Sequence, residues 1–477
     1  MNWIIPIKTV LLLVLSTIFV QAQVRNFSET GEQVTKFDDT GQAVDAHDGM
    51  IAWFDGTYYL YGTSYDCGFE WNNKTAPFCG FKSYSSKDLV HWKDEGYLFD
   101  ARNQLWQSRC DGKTYGCFRP HVAYNRKTKQ YVLWINVYDN VVGYGVFTSL
   151  SPVGPFAEVE EPRISINSDK PAAGLNNGDH DLFVDDDGTA YLAMTDWRAK
   201  GAIAIEQLTD DYLNGTGKMV THVTDEKTEA PGLFKRKGIY YITYSDPNCG
   251  YCSGTGTSYK TAPSPLGPWS AGKKISDNSC GGQPSFVATL KLPQDTVLLY
   301  GSDLWNNAAK NEALANFYWT PLAFEPDGTI KPLDCRGEFQ LSNKKSPTRI
   351  TNTEMHKATC EVTNKQSFQL SFKAGRSGKL ESFEIVTLKS GYPDADLVLD
   401  FYEAGRSDKI LATLQISRDA MGWSAKSFTV HPNISVGKGK EYLVILRTES
   451  KTGCFGYAKD VFSKEGKPGA RFSYMVK

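Results

Sequence analysis

A polar turn followed by an alternating, aromatic-rich run recurs through the first two-thirds of the chain. Its clearest copy is FDGTYYLYGT at residues 54–63, with an Asp-bearing lead-in at Asp48. Weaker copies stand at KTKQYVLWINV around Tyr131, DDDGTAYLAMT around Tyr191, KRKGIYYITYS around Tyr240 and LPQDTVLLYGS around Leu299. They are roughly 50 to 75 residues apart, the spacing of propellers and arrays. A second echo closes the units: SYSSKDLVHWKDEG, TSLSPVGPFAE, TAPSPLGPWS and WTPLAFEPDG follow the first, second, fourth and fifth copies. Turn, alternating strand, then a Ser/Asp/Pro-rich turn ending on Trp or Phe reads as consecutive antiparallel strands. The pattern predicts an all-β fold with a five-bladed β-propeller over residues 45–340.

Beyond Lys345 the texture changes. FQLSFKAGRSGKLESFEIVTL, DLVLDFYEAG, ILATLQISRDAMGWSAKSFTV and EYLVILRTES alternate between Gly/Ser/Asn turns, which predicts a β-sandwich over 346–477. Residues 23–44 are polar and aperiodic, a lead-in that wraps the propeller or helps close its ring. No helix of convincing period is present. At the N-terminus, Lys8, the apolar run Thr9–Val20 and Val20-Gln21-Ala22 form a signal peptide with cleavage before Gln23. As a membrane anchor the run is too short and lacks a charged stop. The expectation is a secreted or periplasmic protein.

Charge narrows the partners little. Lys+Arg is 52 and Asp+Glu 54, so no electrostatic case exists for nucleic acid or an anionic membrane. Aromatic residues at 13% suit sheet cores or sugar-stacking surfaces equally. A monomer without a cofactor is expected; a structural Ca2+ ion would leave no readable signature. Ten cysteines in an exported chain suggest disulfides. Cys67 with Cys79 and Cys110 with Cys117 can close short loops, and Cys360 with Cys454 brackets the last domain. Cys249, Cys252, Cys280 and Cys335 stay unassigned. Zinc at Cys249-Gly-Tyr-Cys252 would need a second pair at similar spacing, and there is none.

Candidate chemistry lies where inner strands of a propeller would converge. Asp48, Asp179 and Glu229 each shortly precede an apolar strand, in blades one, three and four. Carboxylates converging in a partly buried pocket repel one another and are desolvated, so one can serve as base and another as acid. That combination suits glycoside hydrolysis. Asp185, Asp186 and Asp187 show the plainer use of such acids, as hairpin-turn residues.

At these positions the chain resembles glycoside hydrolase family 43, over roughly residues 45 to 335. Asp48-Gly49-Met50-Ile51 fills the family's Asp-Pro-x-Ile segment, with Gly49 where Pro is usual. Asp179 precedes the LFFDDDG-like stretch Leu182–Gly188, and Glu229-Ala230-Pro231 matches E-x-P. The resemblance implies an inverting propeller hydrolase. Asp48 would be the general base, Glu229 the general acid and Asp179 the residue orienting Glu229, with base and acid about 6.5–9.5 Å apart. Phe118-Arg119-Pro120-His121-Val122-Ala123-Tyr124-Asn125 resembles the ERPxVxYN of exo-β-1,3-galactanases, Gln283 stands where they carry a blade-five glutamine, and Asp303-Leu304-Trp305 echoes their DRW. Those enzymes lack an acid at the Asp48 position and have Glu where Phe118 stands. A retained base beside an aromatic is closer to the α-L-arabinofuranosidase pattern, which is the favoured reading, ahead of a galactanase or galactosidase.

His47 and His121 flank these positions as candidate sugar contacts or as buried, bonded histidines. Trp106, Tyr138 and Trp305 are candidates for a stacking floor, and Tyr65, Asp66 and the Cys67–Cys79 loop for a pocket wall, with Asp66 reaching substrate. Trp423 and Tyr457 are the plausible sugar-facing aromatics of the terminal domain. Sequons stand at Asn26, Asn73, Asn214 and Asn433. A glycan-binding propeller without catalysis would be marked by loss of an acid from the trio, and all three are present. A retaining, invertase-type propeller would need an Asn-Asp-Pro-Asn segment, which AHDGM does not supply.

Overall fold

The computed structural model describes residues 24–28, 31–70, 73, 76–110, 116–138, 142–165, 177–248, 254–292, 296–305, 311–335, 338–339, 353–354, 361–406, 409–460, 469–470 and 472–477. The expected signal segment 1–22, Cys249, Cys252, Cys360 and most of the expected boundary 336–348 lie outside them. The protein is all-β. Five antiparallel sheets follow one another along the chain, and their first two strands are His47–Phe54 and Thr57–Thr63, Cys117–Asn125 and Gln130–Val137, Asn177–Val184 and Ala190–Asp196, Glu229–Arg236 and Ile239–Ser245, and Gln283–Lys291 and Thr296–Leu304. Each aromatic run foreseen from the pattern is the second strand of its sheet, where both faces are covered by neighbouring sheets and period-two alternation places rings in both layers. The first strands pack on one another in sequence, and that of sheet five packs on that of sheet one.

Sheet five has three strands, where sheets one to four have four. The lead-in serves its outer strand, Asn316–Pro321. Asn26 Nδ2 donates to Trp319 O at 2.8 Å, Trp319 N donates to Asn26 Oδ1 at 3.0 Å, and Asn316 Nδ2 donates to Gln33 Oε1 at 3.0 Å. The Asn26 sequon is therefore occupied by the fold itself. Trp319 also meets Trp92 of sheet one edge-on at 5.7 Å. Removing one such ring from a packed core costs about 3–5 kcal/mol.

A six-residue helix, Gln104–Arg109, departs from the expectation of no helix. Asn103 caps it through Oδ1, accepting from Trp106 N at 3.0 Å. Trp106 is only 4% exposed, packed on Phe99 and Phe147 with the Arg109 guanidinium over its ring. It forms no stacking floor; the core between two sheets has taken it.

The C-terminal region adds two larger sheets, and a small third one joins its strands Thr353–Glu354, Lys459–Asp460 and Gly469–Ala470 to Val34–Thr35 of the lead-in. Of the larger two, one holds Phe368–Lys373, Glu441–Arg447, Leu397–Glu403 and Ile410–Ile416; the other is built on the 13-residue strand Gly378–Ser390. Their apolar faces meet at Phe383 and Phe401, ring centroids 5.4 Å apart. Trp423 and Tyr457 are not sugar-facing. Trp423 is fully buried among residues of the first domain, including Tyr65, Phe118 and Trp305, and Tyr457 stacks on Phe368 at 3.9 Å. Disulfides join Cys67 to Cys79 and Cys110 to Cys117, as the spacing suggested, and Cys280 to Cys335, which spacing left open. Cys454 is disulfide-bonded. Among the described residues no helix is long and apolar enough to cross a membrane.

Candidate active site

One irregularity recurs in all five sheets. The pairing of first and second strands slips between His47 and Met50, Phe118 and His121, Asn177 and His180, Glu229 and Gly232, and Pro284 and Phe286. A bulge bends its strand and re-aims the extra side chain. Asp48, Arg119 and Asp179 lie inside the first three bulges, Glu229 stands at the edge of the fourth, and Gln283 lies one residue before the fifth. Asp48, Arg119 and Ala230 adopt φ of 53°, 58° and 56°, a left-handed conformation that non-glycine residues hold only when the surroundings impose it. At Gly49 a Cβ would come 2.1 Å from Tyr61 O in this backbone, which leaves no room for the proline usual in the family.

The three acids share one hydrogen-bonded network. Asp48 Oδ1 accepts from Thr63 Oγ1 at 2.7 Å and from Arg119 N at 3.1 Å, and its Oδ2 accepts a short bond from Tyr65 Oη. Arg119 Nη2 donates to Asp179 Oδ2 at 2.7 Å and to Pro284 O at 3.2 Å, and its Nη1 donates to Ser285 O at 3.1 Å. Gln283 Nε2 completes the chain, donating to Glu229 Oε2 at 2.9 Å and to Asp179 Oδ2 at 3.4 Å. Four of the five first strands thus meet through Asp48, Arg119, Asp179 and Glu229, and Gln283 adds the fifth.

Burial sets the proton affinities. It pushes the Asp48 carboxyl up to about 6, against the pull of Arg119, Tyr65 and Thr63, while Asp303 adds to the rise. Burial, then the neighbouring Asp179, holds Glu229 well above the usual glutamate range despite Arg119 and Gln283. Burial thus favours the proton on Glu229, while Asp48, at about 6, is largely ionised at neutral pH. Such an arrangement can pair a proton donor with a proton acceptor.

Around the acids stands an aromatic cluster: Tyr65, Phe69, Phe118 and Trp305 are buried and Tyr138 partly so. Phe118 meets Phe69 at 5.7 Å and Tyr138 at 6.1 Å. Burial, with Asp179 and Glu229 close by, raises the Tyr138 hydroxyl well above its ordinary value, placing that ring beside the acids. Trp305 contacts Tyr65 and His47, each at 5.9 Å.

Both histidines take the buried alternative, and the expected substrate contact of Asp66 is corrected. His47 is fully buried, stacked on Phe317 at 5.2 Å, with Nε2 3.3 Å from Asp45 Oδ1; it supports the site from behind. His121 is equally buried, its Nδ1 3.0 Å from Asp181 Oδ1, while Asp181 Oδ2 accepts from Leu233 N at 2.6 Å. It joins three first strands instead of meeting a sugar. Asp66 points away from the acids and binds Ser424 and Lys426 of the C-terminal region. Sequence reasoning missed Thr63 as a partner of Asp48, and it named Asp303 only as the first residue of Asp303-Leu304-Trp305, with no role; Asp303 is buried against Ser285 Oγ and raised by that burial. Further along the same strands a cavity of about 1220 Å³ runs between them, lined by Ile51, Val122, Leu182, Leu233 and Val287. The three acids do not line it. Among the described residues no group of three or more His, Cys, Asp or Glu is arranged to hold a metal ion.

Residues 42–287 match the model for "Glycosyl hydrolases family 43". A β-D-galactofuranosidase of Aspergillus niger is 27% identical over 294 residues, 59% of this chain and 80% of the relative. An arabinoxylan arabinofuranohydrolase of Bacillus subtilis is 27% identical over 260 residues, 47% of this chain and 49% of the relative. Among solved structures, a β-1,3-galactosidase with galactodeoxynojirimycin is 26% identical, covers 62% of this chain and 96% of its own, and superposes with a TM-score of 0.51. An exo-β-1,3-galactanase from Clostridium thermocellum, at 20% identity and a TM-score of 0.55 over 84% of this chain and 78% of its own, supports the fold alone.

Proposed function

The chain belongs to family 43 of the glycosyl hydrolases, and from that footing we propose that Asp48, Glu229 and Asp179 act as general base, general acid and orienting carboxylate of an exo-acting, inverting glycosidase. The observation that carries the reading is Gln283 holding both Asp179 and Glu229 while Arg119 ties Asp179 to Asp48. In this assignment Glu229, kept protonated by burial, gives its proton to the leaving oxygen. Ionised Asp48 takes a proton from a water attacking the anomeric carbon from the opposite face. Arg119 supplies the positive charge that lets two carboxylates share a buried site.

The same reading makes the five sheets the blades of a propeller spanning 45–340, with the lead-in 23–44 closing its ring and a β-sandwich at 346–477. The ring of first-strand contacts supports it. The disulfides suit an oxidising compartment, in keeping with export through the segment 1–22 and a polysaccharide or oligosaccharide substrate met outside the cell.

For the sugar, an α-L-arabinofuranoside is the reading of choice. A carboxylate stands at the base position, Phe118 is apolar, and two relatives are named for furanosides. The α-L-arabinofuranosyl and β-D-galactofuranosyl rings share their configuration, so one pocket can be built for either. The galactoside reading keeps one specific support, Gln283 in the network together with the 26% identity to the β-1,3-galactosidase. Nitrophenyl α-L-arabinofuranoside, β-D-galactofuranoside, β-galactopyranoside and β-xyloside, with β-1,3-galactan, separate the two. Hydrolysis of a furanoside is the expected result. Because nitrophenolate leaves without a proton, the Glu229→Gln loss is read on an unactivated oligosaccharide of the preferred sugar; unchanged activity there would remove the acid assignment, and cleavage of galactan alone would move the enzyme to the second reading.

A further inference from the structure

Residues 64–70 follow the second strand of sheet one and are gripped from two sides. Below, the Asp45 carboxylate accepts from Ser64 Oγ at 2.5 Å, Tyr65 N at 2.9 Å and Asp66 N at 3.2 Å. Above, the grip comes from the C-terminal region. Asp66 Oδ1 accepts from Ser424 N at 2.7 Å and Ser424 Oγ at 2.5 Å, and its Oδ2 pairs with Lys426 Nζ. Backbone contacts repeat the link: Trp423 N donates to Asp66 O at 2.9 Å, and Tyr392 Oη donates to Gly68 O at 3.0 Å. The Trp423 indole closes over Gly68, where a Cβ would stand 3.1 Å from the ring. Between the two grips sits Tyr65, 3% exposed, with its hydroxyl on Asp48.

We infer that the C-terminal region is a working part of the catalytic site: by holding Asp66 it fixes Tyr65, and Tyr65 holds the Asp48 carboxyl in aim. The inference rests on Asp48 being the base. Asp66 and Tyr65 are positioning residues, neither touching the reacting atoms. Bonds from an ammonium and a hydroxyl to a carboxylate are charge-assisted and directional, so this clamp is stiff where an ordinary surface loop would drift. Asp48 is faced by Arg119 from sheet two, Asp303 from sheet five, and Thr63 and Tyr65 from its own sheet, with His47 beside it and Asp45 beneath the loop. Strand pairing holds Thr63 and Asp303, and bonds to Asp179, Pro284 and Ser285 hold Arg119. Tyr65 lies in a loop anchored by Asp45 on one side and by the clamp on the other, so loosening the clamp frees one of its two anchors and weakens a bond that favours ionised Asp48.

The test uses the full chain with Asp66→Asn, Lys426→Met, Lys426→Arg, Tyr65→Phe and the Asp66→Asn/Tyr65→Phe double variant, on whichever nitrophenyl glycoside is turned over. For Asp66→Asn and Lys426→Met, kcat should fall about tenfold with KM nearly constant, and the acidic limb of the rate profile should move up by about one pH unit. Lys426→Arg should restore both. The double variant should be no worse than Tyr65→Phe alone, since residues acting in series do not add. Should Asp66→Asn melt below the assay temperature, Lys426→Met and Tyr65→Phe carry the comparison. An unmoved limb in folded Lys426→Met, or losses that multiply in the double variant, overturns the inference while Asp48 as base survives. An Asp48→Asn enzyme with near-normal turnover would instead remove the base, and this inference with it.

Discussion

Replacing Asp48 by Asn should make the enzyme inactive and, at neutral pH, more stable. In the unfolded chain this carboxyl titrates at the ordinary 3.8, and in the fold at about 6. Each tenfold change in proton affinity is 1.36 kcal/mol, so keeping the buried group ionised costs about 3 kcal/mol. The sign follows from which state holds the proton more tightly. The folded state does, so stability is greatest below about pH 4, falls as the pH climbs through 6, and carries the full penalty above it. Asn carries no charge at any pH and escapes the penalty. Its amide turns one donor toward Thr63 and Arg119 N or toward Tyr65, returning about 1 kcal/mol of the gain. The expected net is about 2 kcal/mol, a rise of a few degrees in melting temperature near pH 8 that vanishes near pH 4. Melting curves of both proteins at the two pH values, with turnover measured alongside, make the comparison. A gap that does not widen with pH would refute the claim that burial dominates at Asp48.

Two other variants probe separate parts of the structure. Phe118→Glu, which puts a hydrogen-bonding group among Phe69, Tyr138 and Gly116, should lower kcat/KM on the preferred furanoside by tenfold or more. A gain on β-galactosides, measured on the same substrate panel, would mark this position as a determinant of sugar choice. Breaking the Cys280–Cys335 bridge with Cys280→Ala/Cys335→Ala opens a loop of 55 residues, and loop-closure entropy puts the loss at about 4 kcal/mol. Denaturant unfolding reads it directly, and a loss under about 1 kcal/mol would mean that the lead-in and the rest of sheet five already hold that segment.

The aromatic second strands were legible because the side-chain period of a strand is local, and so were the acids, because each precedes such a run. The bulges were not. A register slip is a property of two strands and shows in neither one alone, so Arg119, marked by its motif as a substrate-binding candidate, gave no sign that a left-handed backbone lets it span Asp48 and Asp179. Trp106 and Trp423 show a second limit: a large ring has the same letter whether it faces sugar or fills a core. Asp66 shows a third, since its partners Ser424 and Lys426 lie about 360 residues away. The six-residue helix at 104–109 is too short to display a period at all.

Asn26 is among the first described residues to be synthesised, yet its partner Trp319 follows 293 positions later. Until that strand exists, the amide of Asn26 has nothing to pair with, and one edge of the last sheet lies open. Maturation of this domain therefore cannot proceed as a simple march from front to back. Its opening segment must wait, unsatisfied, for the end of the ring to arrive, and contacts of such long range form slowly. A sugar chain on that amide nitrogen would leave it unable to make the bond to Trp319 O.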